Sequence, residues 1–222
     1  MIGTLRQYTR SRRAKLFRDF VARIPGPLRI VDLGGTVGYW RAWGLEPGDR
    51  FHVTLINNHD ADKTQLHERT TLPNLANVMR DACDLTPDDY REYDVIFSNS
   101  FIEHLTSREK QVAIARQITA CGRPYFIQTP NKYSPVDPHF PRPYVPFFAA
   151  YPRRLQARLL TLGALGSGSP SPSFDAAMAR LGYYHPLSRH DVRELFPNAQ
   201  IVMERPMGVP MSIVAMQPSA SH

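Results

Sequence analysis

Short apolar runs recur along the chain and alternate with segments of helical periodicity. Apolar runs of this length, bounded by turn residues, are typical of buried parallel strands. They predict strands at residues 28–33, 51–56, 93–98, 124–129, 199–203 and 212–216. Because strands and helices alternate, the pattern predicts an α/β fold whose parallel strands are joined by right-handed crossovers.

Three helices are marked by their own start and stop signals. Residues 11–24 repeat apolar side chains at helical spacing and are followed by Pro-Gly-Pro, which predicts a helix before the first strand. Thr106 and Glu109 have the spacing of a capping box, and Ser188 is placed to begin another helix. These helices would pack against the sheet.

The segment at residues 131–182 departs from this alternation. Prolines and aromatic residues crowd residues 130–152, and residues 163–173 read GALGSGSPSPS. Such composition favours loops over packed structure. We therefore expect one domain over residues 1–222 that carries an insertion or lid at 131–182.

The composition is that of an ordinary globular chain. Its 222 residues are 42% hydrophobic and 21% charged, which suits one α/β domain with a sizeable core. Cys83 and Cys121 have no metal-ligand spacing and are too few for a disulfide framework. Residues 1–20 hold no apolar run long enough for a signal peptide or a membrane span. We expect a cytoplasmic protein, and peripheral contact with the inner face of a membrane stays open.

Basic residues give the chain a formal net charge of +7 and gather at residues 6–23 and 153–158. Such clusters can bind nucleic-acid phosphates or an anionic membrane surface. Arginines spaced along an amphipathic helix more often form a solvated face. The charge alone therefore predicts no nucleic-acid partner.

Residues 29–38 read RIVDLGGTVG, a strand that ends in an acid and three glycines. Glycines allow a ligand to approach the backbone closely. The spacing is not the GxGxxG of dinucleotide-binding proteins, and Asp32 would repel a pyrophosphate but attract an ammonium group. These features favour adenosylmethionine over NAD.

The segment DLGGTVG resembles the acidic-x-Gly-x-Gly-x-Gly loop of class I S-adenosylmethionine-dependent methyltransferases, with Thr36 at the middle glycine. VTLIN, RDACDL, YDVIFSNSFIEHL and QTPNKYSPVDPH follow in the family's order, and the likeness is to the small-molecule, type 11-like subgroup. It covers residues 29–131 and 183–216. It implies a Rossmann-like doubly wound sheet of seven mostly parallel strands, the last antiparallel, with helices on both faces.

The resemblance also implies S-adenosyl-L-methionine as cofactor. Asn57 stands where the family usually has a carboxylate that binds both ribose hydroxyls. Asp81 and Ala82 match the adenine-binding pair, and Ser98 and Asn99 the methionine-facing turn. The structural alternatives to these roles are that Asn57 is only a turn residue and that Asp81 only caps a helix. The implied cofactor-binding residues are Asp32, Gly34, Gly35, Thr36, Gly38, Asn57, Asn58, Asp81, Ala82, Ser98 and Asn99.

The loop after the fifth strand carries the candidate catalytic residues Asp137 and His139. It leaves the carboxyl end of a parallel strand, where ligands bind, and a histidine oriented by a carboxylate can take a proton from a hydroxyl. The loop resembles a subgroup that often acts on small molecules, lipids or glycans. We expect O-methylation of a small-molecule, lipid-linked or saccharide acceptor. The alternative is that His139 only caps a proline-stiffened loop.

Glu103 and His104 are similar to the Glu-x-x-Glu-His turn that is associated with a metal in quinone-biosynthesis O-methyltransferases. Ser100 replaces the first glutamate here. Because two of three ligands are weak evidence, the sequence predicts no metal site, and the pair is expected to shape the loop beside the cofactor.

Two further classes of function stay open. An RNA-binding methyltransferase would use the basic N-terminal helix, but no RNA-binding module is visible, and residues 98–101 lack the Pro-Pro signature of many base amino-methyltransferases. A non-catalytic binding protein of this fold is the other alternative, because Thr36 and Asn57 depart from the family pattern. The sequence does not indicate an oligomeric state.

Overall fold

A seven-stranded sheet forms the centre of the computed structural model, which describes residues 2–58, 72–137, 139, 145–162 and 170–218. The strand order is β3-β2-β1-β4-β5-β7-β6, with β1 to β5 parallel and β7 antiparallel to both of its neighbours. This confirms the expected Rossmann-like sheet with an antiparallel last strand. The strands are β1 (Leu28–Leu33), β2 (Phe51–Asn57), β3 (Leu75–Met79), β4 (Val95–Asn99), β5 (Tyr125–Pro130), β6 (Gln200–Glu204) and β7 (Ser212–Gln217).

Six α-helices accompany the strands within the described residues. They are α1 (Ile2–Val21), α2 (Val37–Ala42), α3 (Arg108–Ala120), α4 (Arg153–Thr161), α5 (Phe174–Leu181) and α6 (Arg189–Leu195). The first helix begins and ends earlier than the predicted 11–24. Ser107 rather than Thr106 caps α3, by accepting from the amide of Lys110 at 3.3 Å. Across the described part of the chain, no helix combines the length and apolarity needed to cross a membrane.

Helices cover both faces of the sheet, as expected. On one face Phe17 of α1 is fully buried, with its ring 5.0 Å from that of Phe97 and 5.4 Å from that of Phe126. On the other face Ile114 of α3 and Val192 of α6 pack into a second apolar cluster. Because β1 to β5 run parallel between these two clusters, their carboxyl ends lie at one edge of the sheet.

The predicted insertion at residues 131–182 contains ordered structure of its own. Helices α4 and α5 pack around Phe148, Leu160 and Leu181 in a third, smaller cluster. The sequence analysis did not predict these helices. Residues 138, 140–144 and 163–169 of the insertion lie outside the described residues.

Arg13 departs from the expectation that the arginines of the first helix form a solvated face. Its side chain is buried, and its Nε lies 3.0 Å from Oε2 of Glu204 on β6. It also donates to Oδ1 of Asn99 at 2.6 Å and to Oγ of Ser212 at 3.1 Å. The ion pair and the two hydrogen bonds together hold α1 against β4, β6 and β7.

Candidate functional site

A cavity of about 300 Å³ lies at the carboxyl ends of β1, β2 and β4. The chain adds β2 and β3 on one side of β1, and then adds β4 and β5 on the other side. The cavity forms at this switch point, which is the usual place for a ligand in an open α/β sheet. The cavity brings together six of the residues assigned to the cofactor from the sequence, namely Gly34, Thr36, Asn57, Asn58, Asp81 and Ala82.

The turn after β1 requires its first two glycines for steric reasons. Gly34 has φ +72°, and a Cβ there would lie 2.5 Å from the ring of Phe101. A Cβ on Gly35 would lie 2.0 Å from Oδ2 of Asp32. The backbone of this turn can therefore be approached closely only because both side chains are absent.

Thr36 occupies a position where glycine is not needed. Its φ of −129° is extended backbone, which any residue adopts, and its hydroxyl accepts from the amide of Tyr39 at 3.1 Å. The threonine thus caps the start of α2. This explains locally why the chain can depart from the family's middle glycine. Gly38, two residues later, is exposed and has open space around its Cβ position.

Asp32 lies beneath the turn, not on the wall of the cavity. It is fully buried, and Nε1 of Trp40 donates to its Oδ2 at 2.7 Å. Its Oδ1 has no hydrogen-bond partner within the described residues. Burial raises the pKa of this carboxyl to about 8, and the Trp40 hydrogen bond only partly opposes the shift.

Asn57 and Asp81 each combine a structural role with a place on the cavity wall. Nδ2 of Asn57 donates to the carbonyl of Gly35 at 3.0 Å, which a carboxylate could not do. Oδ1 of Asp81 accepts from the amide of Cys83 at 2.9 Å and so caps the short 3₁₀ turn Ala82–Asp84. Both residues are therefore held in position facing the cavity.

Ser98 and Asn99 do not line the cavity. Oγ of Ser98 donates to the carbonyl of Leu33 at 3.1 Å, which ties β4 to β1. Oδ1 of Asn99 accepts from Arg13 and, at 2.9 Å, from the hydroxyl of Tyr39. Both side chains are engaged inside the protein, and the cofactor role given to them from the sequence stays a prediction.

The wall at the end of β4 is built instead by residues that the sequence analysis did not assign. Ser100 and Phe101 line it, together with Cys83 and Lys110. Ser100 has φ +56°, a left-handed conformation that turns the chain sharply after the strand. A tight turn directly after a buried strand was the signal that could have pointed to residues 100 and 101.

A histidine pair lies at the edge of this cavity. His104 lines the cavity, and its Nε2 is 3.1 Å from Nε2 of His139. Burial and the neighbouring ring lower the pKa of His104. Nδ1 of His139 is 3.3 Å from Oδ1 of the buried Asp137, whose Oδ1 also accepts from the His139 amide at 2.8 Å. The two candidate catalytic residues are thus brought together.

Glu103 completes a cluster of titratable groups around the two rings. Its carboxylate is fully buried, and Oγ1 of Thr129 donates to Oε2 at 3.0 Å. Burial raises the pKa of Glu103 to about 7. Ligand atoms of Glu103, His104 and His139 all lie within 4.8 Å of one another. The sequence placed Glu103 and His104 on one turn, and the fold adds His139 from a distant loop.

No protein-family model matches the sequence, and a search of curated proteins finds no match. Solved structures do match. An S-adenosylmethionine-dependent methyltransferase from Mesorhizobium loti has a TM-score of 0.55 at 15% identity, over 92% of this chain and 98% of that one. The N-terminal domain of EvdMO1 with S-adenosylhomocysteine bound has a TM-score of 0.55 at 16% identity, over 95% and 81%.

The CurJ carbon methyltransferase has a TM-score of 0.56 at 14% identity. The match covers 95% of this chain but 54% of the CurJ chain, so the present chain spans about half the length of that protein. At such identities the similarity establishes the fold. The chain has the fold of the class I S-adenosylmethionine-dependent methyltransferases.

Proposed function

We propose that this protein transfers a methyl group from S-adenosylmethionine to a hydroxyl of a small-molecule, lipid-linked or saccharide acceptor. One observation carries the proposal. The cavity at the strand ends is lined by the glycine turn, Asn57 and Asp81, and on its far side by His104, which touches His139. A cofactor site and a proton acceptor are thus neighbours.

The polar groups of the cavity suit an adenosyl ligand. Its volume of about 300 Å³ lies within the range of small-molecule sites. Asp81 offers an acceptor for the adenine amino group, and Asn57 and Asn58 offer amide oxygens for the ribose hydroxyls. An ammonium group close above the turn would lower the pKa of the Asp32 carboxyl beneath it and favour its ionised form. The methionine moiety of the cofactor carries such an ammonium group.

The acceptor side suits the removal of a proton from a hydroxyl. S-adenosylmethionine supplies a methyl group on a sulfonium, which leaves as a neutral thioether. His139 would take the proton as the carbon–oxygen bond forms, and Asp137 would hold the ring and stabilise its cationic form. A carbon methyltransferase also has this fold, so the choice of oxygen rests on the histidine cluster.

The cofactor assignment is tested by calorimetry with S-adenosylmethionine, S-adenosylhomocysteine and NAD. We expect micromolar binding of both adenosyl ligands and none of NAD. Asp81→Asn keeps an oxygen for the Cys83 amide but loses the charge, and should weaken binding about ten- to hundredfold. Asp84→Asn in the same turn is the matched control, because Asp84 is exposed and does not line the cavity. Absence of adenosyl binding by the wild-type chain would refute the proposal.

The acceptor class is tested with methyl-labelled S-adenosylmethionine and separate pools of polar metabolites, lipid extracts and glycans. We expect label in one pool, and we expect it to survive mild treatment that cleaves methyl esters, because methylation of a hydroxyl gives an ether. Loss of the label under this treatment would indicate a carboxylate acceptor instead. His139→Ala should lower the rate about 10²- to 10⁴-fold, the usual contribution of general base catalysis. Labelling of RNA alone would favour the nucleic-acid alternative.

A further inference from the structure

We propose that Glu103, His104 and His139 form a site for one divalent first-row transition-metal ion, for which Zn²⁺ is the probe. The sequence predicted no metal, because it showed only Glu103 and His104 together. The fold adds His139 from the loop after β5, so that three ligand-bearing side chains converge beside the cofactor cavity.

The separation of the two rings fits shared coordination. Their Nε2 atoms are 3.1 Å apart. Two nitrogen ligands at about 2.1 Å from one ion lie roughly 3.0 to 3.4 Å apart in octahedral or tetrahedral geometry. Ligand atoms of all three residues lie within 4.8 Å of one another, so binding of one ion requires the Glu103 carboxyl to move towards the two rings.

The other nitrogen of each ring faces an oxygen. Nδ1 of His104 is 3.3 Å from the carbonyl of Tyr183, and Nδ1 of His139 is 3.3 Å from Oδ1 of Asp137. Histidine ligands of metals usually donate this outer N–H to a carbonyl or carboxylate, which leaves the Nε2 lone pair for the ion. Two such rings with facing lone pairs repel each other unless a cation or a shared proton lies between them.

Two buried carboxyl oxygens at this cluster have no hydrogen-bond partner within the described residues. They are Oε1 of Glu103 and Oδ2 of Asp137. Glu103 and Asp137 are both buried, at 0% and 4% exposure. A buried group of this kind calls for a partner such as an ion, and a divalent cation balances two carboxylates.

The ligand types select the metal class. Imidazole nitrogens suit zinc, iron, cobalt and nickel, whereas magnesium and calcium prefer oxygen ligands throughout. Three protein ligands leave coordination positions open. The role that follows rests on the proposed function, and it replaces His139 as the proton acceptor. An ion here would bind the acceptor hydroxyl and lower its pKa, so that the proton is released to solvent water before the methyl group is transferred, and His139 would hold the ion.

The test uses the untagged full chain after treatment with a chelator. Calorimetry should show one Zn²⁺ bound per chain and no binding of Mg²⁺ at the same concentration. Co²⁺ should give a visible absorption band that Zn²⁺ abolishes. His104→Ala and His139→Ala should each weaken Zn²⁺ binding at least a hundredfold. Asp137→Asn, which changes the group that positions His139, should weaken it about ten- to hundredfold.

His190→Ala is the matched control. Nε2 of His190 lies 3.3 Å from Oε1 of Glu194 on the exposed surface of α6, so this change removes a histidine beside a carboxylate that is not part of the cluster. It should leave Zn²⁺ binding unchanged. Glu103→Gln keeps an acceptor for Thr129 but loses the charge, and it should weaken Zn²⁺ binding while the thermal melt stays cooperative.

The wild-type chain, Glu103→Gln and His190→Ala are also titrated with S-adenosylhomocysteine, which should bind all three alike because neither residue lines the cofactor cavity. Wild-type protein that binds S-adenosylhomocysteine but no Zn²⁺ would overturn the metal site and leave the proposed function standing. Wild-type protein that binds one Zn²⁺ per chain but no S-adenosylhomocysteine would leave the metal site standing and refute the proposed function. Zn²⁺ binding that persists in both histidine variants would also overturn the site, and a proton shared by the two rings would then account for their contact.

Discussion

The carboxylate of Asp32 lies directly under Gly35, at a place where a Cβ on the glycine would be 2.0 Å from Oδ2. The same oxygen accepts from Nε1 of Trp40 on the following helix at 2.7 Å. The strand end, the glycine turn and α2 are therefore joined through one buried carboxyl group. The turn that lines the cavity is held from below by this contact.

Gly35→Ala should destabilise the protein by about 1 to 3 kcal/mol, because the new methyl group forces Asp32 or the turn to move. It should also weaken S-adenosylhomocysteine binding. Gly38→Ala is the control, since nothing lies within 4 Å of its Cβ position. Urea denaturation and calorimetry measure the two effects. Equal stability of the two variants would contradict the steric argument, and an added Asp32→Ala should recover part of the cost of Gly35→Ala.

Stability should fall as pH rises from about 4 to 8, through the titration of Asp32. Burial raises the pKa of its carboxyl to about 8 in the folded protein, so across this interval the folded state holds a proton that the unfolded chain has lost. The contribution to the slope is at most about 1.4 kcal/mol per pH unit. Asp32→Asn keeps an acceptor for Trp40 and should flatten the curve. Parallel curves for the two proteins, from urea denaturation at several pH values, would contradict this.

The sheet and the glycine turn could be predicted from the sequence because local signals determine them. The buried strands are continuous apolar runs, and Gly35 is required by its contact with Asp32 three residues before it. Gly34 is marked by the same motif, although the ring that would clash with its Cβ belongs to Phe101 after β4. Strand β3 was missed because it is an edge strand of which only Leu75 is buried, so it lacks the apolar run of a central strand.

The remaining features depend on contacts between distant segments. Arg13 reads as one of many exposed arginines until the fold places Glu204 beside it. Likewise His104 and His139 are 35 residues apart and meet only because β4 and β5 are neighbours in the sheet. Local periodicity carries no information about such pairs.

Arg13→Met should cost about 3 to 5 kcal/mol of unfolding free energy, because it leaves Glu204 buried without its partner. The double variant Arg13→Met, Glu204→Leu should recover most of that loss, since no charge is then left buried. Lys15→Ala is the matched control on the same helix. Its ion pair with Asp19 is exposed, with side chains 77% and 61% accessible, and its loss should cost less than about 1 kcal/mol. If denaturant unfolding shows that Arg13→Met loses no more unfolding free energy than Lys15→Ala, the stabilising role of the buried ion pair is refuted.

Cys83 should react slowly with iodoacetamide and more slowly still with a ligand in the cavity. Burial, helped by the charge of Asp81, raises the pKa of its thiol to about 11, so at pH 8 only about 0.1% is thiolate. Cys83 lines the cavity, and S-adenosylhomocysteine should shield it. Mass spectrometry of the alkylated peptides measures the rate.

Cys121 is the internal control for this protection, because it is also half-buried but lies at the end of α3, where its Sγ contacts the carbonyl of Ile118 at 3.0 Å. Its alkylation rate should not change when S-adenosylhomocysteine is added, since it does not line the cavity. Equal slowing of both thiols would indicate a general tightening of the protein. An unchanged rate at Cys83, under conditions where calorimetry shows the ligand bound, would place the adenosyl site elsewhere in the chain.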